Sequence, residues 1–374
     1  FDKQKMDIHI ISFTIPYPAN YGGVIDIFYK IKSLYQAGVK IHLHCFQYDR
    51  QQQPELEKYC SSVNYYPRPI RKKDFFSALP FIVKSRSDSE LLNHLEQDNY
   101  PILIEGLHSS FFINELLKNP RNIIIRTHNI EHEYYRELAK SERKITNKIF
   151  FYSESFKLKK YQRILKSGIK IAAISPNDYL YFKNLNEQTQ YIPAFHPYNT
   201  IQIKPGKGDY ILYHGNLSVN ENILAAKYII NNICPHIDFP FIISGLNPDK
   251  SIVKLAGKLR NVEIIPNPDD DKLSELIQDA HINLLITFQD TGIKLKLINA
   301  LYNGRFCVTN SIMVENTGLE NLCLIANNPK DIGLKINELL KKPFNEEDIQ
   351  NREQTLLKNV NNEHNTQKLI NLLQ

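Results

Sequence analysis

Ile8-His9-Ile10-Ile11-Ser12-Phe13 is an apolar run of strand length that leads into Thr14-Ile15-Pro16-Tyr17-Pro18-Ala19-Asn20-Tyr21-Gly22-Gly23 and then Val24-Ile25-Asp26-Ile27-Phe28-Tyr29. The order is strand, proline-broken loop, two glycines, amphipathic helix. Glycines at such a loop let the backbone approach a ligand closely, because no Cβ intervenes. The helix that follows aims its free N–H groups and positive dipole end at the same place. This is a geometry for holding a phosphate. It is neither a G-x-G-x-x-G fingerprint nor a P-loop. A tight turn that simply needs glycine is the plainer alternative.

At 374 residues the chain is too long for one ordinary core, and roughly two domains are expected. With 42% hydrophobic and 23% charged residues, the composition is that of a globular protein. No stretch approaches the ~20 consecutive apolar residues that span a bilayer. The first five residues do not read as a signal peptide, and Met6 reads as a natural start. Five scattered cysteines without a C-x-x-C give neither a zinc site nor a disulfide framework. A reducing cytoplasm is the expected compartment.

Strands alternate with helical patterns almost throughout. The expected strands after the first are Lys40–Phe46, Val63–Tyr66, Pro101–Glu105, Asn122–Arg126 and Lys170–Ile174, with a long helix over Lys144–Lys166. Alternation resumes at Asp209-Tyr210-Ile211-Leu212-Tyr213-His214-Gly215, followed by Phe239–Ser244, Val262–Ile265, Ile282–Ile286, Phe306–Thr309 and Leu322–Ile325. Such alternation implies two tandem α/β domains, each a doubly wound parallel sheet. The expected domains are 1–195 and 209–345, joined by a Pro/Gly-rich linker at 196–208. A helix over 346–374 is longer than the second domain needs and is expected to pack towards the first. A cleft between the carboxyl ends of the two sheets is where ligands are expected.

The second half holds further ligand signals. His214-Gly215-Asn216 and Ser244-Gly245 are strand-to-glycine turns. Gly292-Ile293-Lys294-Leu295-Lys296-Leu297-Ile298-Asn299-Ala300-Leu301 reads as a glycine turn opening a helix. Lysines in a first helical turn oppose the dipole, and a bound diphosphate would account for them. Solvated surface lysines are the alternative.

Taken in order, the Pro-Tyr-Pro-x-x-x-Gly-Gly loop, Arg126-Thr127-His128-Asn129-Ile130-Glu131, the Gly215 turn and the Gly292–Leu301 segment resemble the retaining glycosyltransferases of family 4 over nearly the whole chain. The resemblance implies the two-domain GT-B fold. It implies sugar transfer from a nucleotide sugar to an acceptor with retention, no metal ion and no other cofactor. Acceptor would bind the first domain and nucleotide the second. By the same match, Gly22 and Gly23 border the donor phosphates and the acceptor, and His128 lies beside the donor sugar. Gly215, Asn216, Gly245, Thr291 and Gly292 line the donor side, and Lys296 with Lys294 neutralises the leaving diphosphate. Tyr21, Asn129 and Glu131 fall on the acceptor side. A hydrogen-bonded structural histidine and a helix-capping Glu131 remain the plainer alternatives.

Two departures stand out. Thr291 and Asn299 occupy positions where the family usually has glutamates, the second of which grips the ribose. Asn216 and Glu221 stand where arginine and lysine are frequent. Two other functions therefore stay open: a nucleotide-sugar 2-epimerase on the same fold, and a non-catalytic nucleotide-sugar or glycan-binding protein.

Charge divides unevenly. Residues 1–200 carry 28 Lys+Arg and 20 Asp+Glu (+8), and residues 201–374 carry 18 and 20 (−2), which together give the net +6. The basic and aromatic segment 65–84, with lysines and arginine over 157–166, fits peripheral docking on an anionic inner membrane face and a lipid-linked acceptor. A solvated basic face is the alternative. No helix-turn-helix, zinc-finger or RNP-like pattern points to nucleic acid.

Overall fold

In the computed structural model, which describes residues 6–166, 168–289 and 294–374, the opening apolar run is strand β1 (Asp7–Ser12). Residues Ile8–Ser12 are buried, as in a parallel strand covered on both faces. Beside β1 lie β2 (Lys40–Gln47), β3 (Ser62–Pro67), β4 (Ile102–Glu105), β5 (Ile123–Thr127), β6 (Lys170–Ala173) and β7 (Thr189–Tyr191). The sheet order is β3-β2-β1-β4-β5-β6-β7, and every pairing is parallel. Ile8 pairs with Ile41, and His9 with Ile102.

A second parallel sheet follows. Its strands are β8 (Ile211–His214), β9 (Phe241–Gly245), β10 (Val262–Pro266), β11 (Ile282–Leu285), β12 (Phe306–Thr309) and β13 (Leu324–Ile325), in the order β10-β9-β8-β11-β12-β13. Each order reverses once, at β1/β4 and at β8/β11. The carboxyl ends of two strands part there and leave a crevice within the unit.

The helices that matter below are α1 (Gly22–Gln36), α2 (Glu131–Ser141), α3 (Ile145–Tyr161), α4 (Asn220–Asn232), α5 (Leu295–Asn303), α6 (Glu346–Asn359) and α7 (Asn362–Leu373). α1 buries Val24, Ile27, Phe28, Ile31 and Leu34 at helical spacing. α7 joins the same core through Leu369, Ile370, Leu372 and Leu373. The last turn of α7 accepts hydrogen bonds at the Leu372 carbonyl from Lys170 Nζ (2.7 Å) and Asn122 Nδ2 (3.1 Å).

Three expectations change. The helix expected over 346–374 is two helices: α6 packs Leu356 in the second unit, while α7 belongs to the first. The break falls at Asn362, whose amide clasps the His196 backbone in both directions (3.2 and 2.7 Å). The stretch 196–208 is not a free linker. The first unit runs through Pro197, and Tyr198 begins the second, where Gln202 N bonds Tyr302 O and Gly206 bridges Phe344. The helix expected over 144–166 ends at Tyr161 and tightens into a 3₁₀ turn to Lys166.

The first unit is organised around buried charge. Asp26 and Lys30, one turn apart on the buried side of α1, are wholly inaccessible, as is Glu105 at the end of β4. Arg126, near the end of β5, is 1% exposed. Lys30 Nζ donates to Asp26 (2.8 Å) and Glu105 (2.7 Å). Arg126 donates Nη2 and Nε to the two Asp26 oxygens (2.9 and 3.2 Å). Two cations and two anions thus cancel out of water's reach. Burial alone would raise the Asp26 carboxyl, but Arg126 and then Lys30 hold it far below the ordinary aspartate range. Removing one member strands the others. Arg126→Met is therefore expected to cost about 3–5 kcal/mol in urea denaturation. A loss below about 1 kcal/mol, the range of solvated surface pairs, would contradict this description.

Candidate functional site

In the first unit, the crevice between β1 and β4 is a cavity of about 300 Å³. Phe13, Tyr21, Gly22, Gly23, His108, His128, Asn129, Glu131 and Tyr134 line it. The structure thus brings together every first-unit residue expected at the site. Gly22 and Gly23 begin α1, whose N-cap residue Tyr21 makes no side-chain cap. The first-turn N–H groups of this 15-residue helix therefore face the crevice without an intrahelical partner. A Cβ on Gly23 would lie 3.0 Å from the Phe13 ring and 3.9 Å from His128 Nδ1, so the glycine keeps the mouth open. Tyr21 lies under the Arg50 guanidinium at 5.1 Å, and Arg50 also binds Pro18 O (2.7 Å), which fixes the proline loop.

His128 follows β5 and turns Nε2 to Glu105 Oε2 (2.9 Å). Burial pushes the Glu105 carboxyl up, but Lys30 and His128 outweigh it and keep it below the ordinary glutamate value. An ionised Glu105 accepts, so Nε2 carries the proton and donates it. Nδ1 is buried and without a hydrogen-bond partner. Glu131 Oε1 and His108 Nδ1 are likewise unpartnered and stand 3.8 Å apart. Three buried polar atoms thus face one cavity, which is what a polyhydroxylated ligand satisfies. Residue reading missed Glu105, Lys30, Asp26 and His108. The signal for the first three was a charged residue inside or ending an apolar pattern.

Asp26, Glu105 and His128 each offer an atom within 4.8 Å of the others, the spacing of a metal site. Lys30 and Arg126 already balance both carboxylates, so a divalent cation there would have to displace a buried ammonium.

In the second unit the corresponding crevice follows β8 and β11. Gly215 and Gly245 pack backbone against backbone: a Cβ on Gly245 would meet Gly215 O. This contact requires glycine whether or not a ligand binds. Asn216 Oδ1 accepts from Ser218 N (3.1 Å) and Oγ (2.7 Å), so its carbonyl serves its own loop. Lys294 is the N-cap residue of α5, and its Nζ donates to Gln289 O. Lys296 donates to Asn222 Oδ1 (2.7 Å) and lies 5.4 Å from the Tyr213 ring centre. Burial lowers the Lys296 ammonium to about 8; Glu221 opposes the shift and Lys294 adds to it. Thr287 Oγ1 donates to Glu221, drawing the first turn of α4 to the end of β11. Asn299 Oδ1 accepts from Asn303 Nδ2 (2.8 Å). His214, missed from sequence, is held neutral by burial, at about 3, and its buried Nε2 has no partner. Thr291 and Gly292 lie outside the described residues.

Burial, then the charge of Asp178, raises the Glu131 carboxyl to about 8, with Arg86 opposing. An unfolded glutamate titrates near 4.3, so the folded state binds the extra proton between the two values. Stability contributed by this group is present below pH ~4.3 and lost as pH rises towards 8, by at most about 1.4 kcal/mol per pH unit. Glu131→Gln should therefore gain stability relative to the parent as pH rises from 5 to 8 in paired melting curves. Parallel curves would show that Glu131 is not held protonated.

Residues 208–342 match the family model of glycosyl transferases group 1. A Klebsiella pneumoniae relative, described as an uncharacterized 44.6 kDa protein in the cps region, is 27% identical over 340 residues, 83% of this chain and 84% of its own. A glycosyltransferase from Rickettsia africae superposes with a TM-score of 0.64 at 14% identity, over 99% of this chain and 98% of its own. An Escherichia coli structure named for trehalose-6-phosphate and bound with UDP-2-fluoro glucose gives 0.63 at 14%, over 98% and 99%. Among the described residues no helix is long and apolar enough to cross a membrane. The chain has the two parallel-sheet α/β domains of GT-B glycosyltransferase structures, and its second unit carries a match to glycosyl transferases group 1.

Proposed function

We propose that this chain transfers a sugar from a nucleotide-sugar donor to a glycan or lipid-linked acceptor, as a retaining enzyme of the family-4 type that needs no metal. The observation that carries this reading is Lys296. It is a partly buried ammonium in the first turn of α5, in the crevice of a unit that matches glycosyl transferases group 1. As the anomeric C–O bond breaks, negative charge grows on the leaving diphosphate, and Lys296, Lys294 and the N-terminus of α5 are the groups that stabilise it. The acceptor oxygen bonds the same face of the anomeric carbon, and its proton passes to the departing phosphate oxygen. No protein carboxylate is needed as base. In the first unit, His128 Nδ1, Asn129, Tyr21 and Glu131 position hydroxyl groups.

On this reading the nucleotide lies along Gly215, Asn216, Gly245, Thr291, Gly292 and Asn299. The uridine nucleotide sugar in one similar structure and the cps-region relative fit a role in surface-polysaccharide synthesis. A cytoplasmic protein in peripheral contact with an anionic inner membrane face completes the reading.

A second reading has its own support. Glu221 places an anion near Lys296, and Asn299 and Asn216 spend their carbonyl oxygens within their own segments. These features favour a weak or non-catalytic nucleotide-sugar binder. Thermal shift with UDP, GDP, ADP, TDP and CMP and their sugar conjugates separates the two. A ligand at ~100 times its dissociation constant adds about 2.7 kcal/mol to stability. The expected result is one responding nucleotide class, with Lys296→Ala losing transfer by orders of magnitude while keeping its fold. Binding without turnover would favour the second reading. Silence across the panel would contradict both.

A further inference from the structure

Helix α3 carries apolar residues on two sides. Inward, Phe150 packs on Phe75 (5.4 Å between ring centres), Phe151 on Tyr135 (6.0 Å), and Leu158 is fully buried. Outward, Ile145, Ile149, Tyr152 and Phe156 are 74%, 64%, 44% and 74% exposed. Their i, i+4, i+7, i+11 spacing places all four within about 60° of one helix face. Four large apolar side chains in one exposed row are a surface feature that wants a partner.

Within α3 the charges beside the row are of one sign, and Glu142 just before the helix accepts from Arg143 N, Lys144 N and Asn147 Nδ2. Lys148, Lys159 and Lys160 flank it at helical spacing. The one acid within α3, Glu154, is buried, where it accepts from Phe81 N (2.5 Å) and Lys157 Nζ (2.8 Å). Those bonds, with Lys157 donating to Phe75 O (2.9 Å), strap the segment before β4 onto α3. Within that segment Tyr66 and Phe81 are buried, and Arg68 lies over Tyr48 at 4.2 Å. What it exposes is Ile70 (66%), Phe76 (92%) and the basic run Arg71, Lys72 and Lys73. The aromatic count over 65–84 thus overstates what faces solvent there, and the larger exposed row lies earlier on α3 than the basic residues of 157–166.

We propose that the outer face of α3 docks on an anionic bilayer, its apolar row entering the acyl boundary and its lysines meeting lipid phosphates. The proposal rests on the membrane contact in the reading above and names its elements and mode. A second copy of this chain is the less suited occupant, because a symmetric pairing would set two like-charged basic fringes face to face.

The chain contains no tryptophan, so Phe156→Trp creates a unique reporter at a 74% exposed site. On phosphatidylglycerol vesicles its emission is expected to shift to the blue and to be quenched by lipids brominated on their acyl chains. Ile149→Asp and Phe156→Asp should weaken flotation about tenfold or more at unchanged melting temperature. Flotation that persists in both Asp variants, with unshifted Trp emission, would overturn the apolar docking and leave a purely cationic contact. No flotation of the parent protein at low salt would overturn the membrane contact itself, while sugar transfer stands or falls on the nucleotide panel. A dimer that the Asp variants dissociate, without vesicle binding, would assign the row to self-association instead.

Discussion

A two-bond ion pair between Asp26 and Arg126, closed to water, is the interaction on which the first unit depends. It joins the first helix to the fifth strand. Through Arg126 it also holds the carbonyls of Ile192 and Pro193, and through Asp26 the N–H of Phe195 (2.8 Å). The exit of the first sheet is therefore fixed by the same charges that fix its entry. From Asp26 the chain of contacts runs through Lys30 and Glu105 to His128. Burying four charges is costly unless each is paired and hydrogen-bonded, and here each is. The consequence is positional: the ring that faces the cavity is held by groups that cannot relax towards water.

The two units solve a similar problem with different chemistry. Each sheet reverses its strand order once, and each reversal leaves backbone and side-chain polar groups at strand ends. In the first unit those groups are mostly neutral and unpartnered: His108 Nδ1, His128 Nδ1 and Glu131 Oε1. Such a surface suits hydroxyls. In the second they are cationic, with Lys294 and Lys296 at the start of α5, and Glu221 tempers them. That surface suits an anion, held less firmly than two lysines alone would hold it. The proposed division of labour between acceptor and nucleotide rests on this contrast.

Much of this was legible from residue pattern. Apolar runs between helical segments marked the strands from β1 to β13, apart from β7, whose three residues Thr189-Gln190-Tyr191 carry no apolar period. His128 and Glu131 could be placed in one crevice with the glycine pair because they closely follow β5, and the pair opens the helix after β1. The charged network could not be read. Asp26 and Lys30 look like an ordinary surface i, i+4 pair until β4 and β5 bring Glu105 and Arg126 against them. The break between α6 and α7 was hidden for a related reason. Val360-Asn361-Asn362 contains neither Gly nor Pro, and Asn362 turns away because of His196, 166 residues earlier. His214 and His108 were passed over because burial, not residue type, leaves their ring nitrogens unpartnered.

The buried charges fix which nitrogen of the His128 ring donates to Glu105. Nitrogen-15 chemical shifts of the imidazole, assigned by comparison with His128→Gln, test it directly. The expected result is a proton held on Nε2 and donated to Glu105, with that preference lost in Glu105→Gln. A ring protonated on Nδ1 alone in the parent protein would contradict it, because a bare Nε2 could not donate to Glu105 and hold His128 in place.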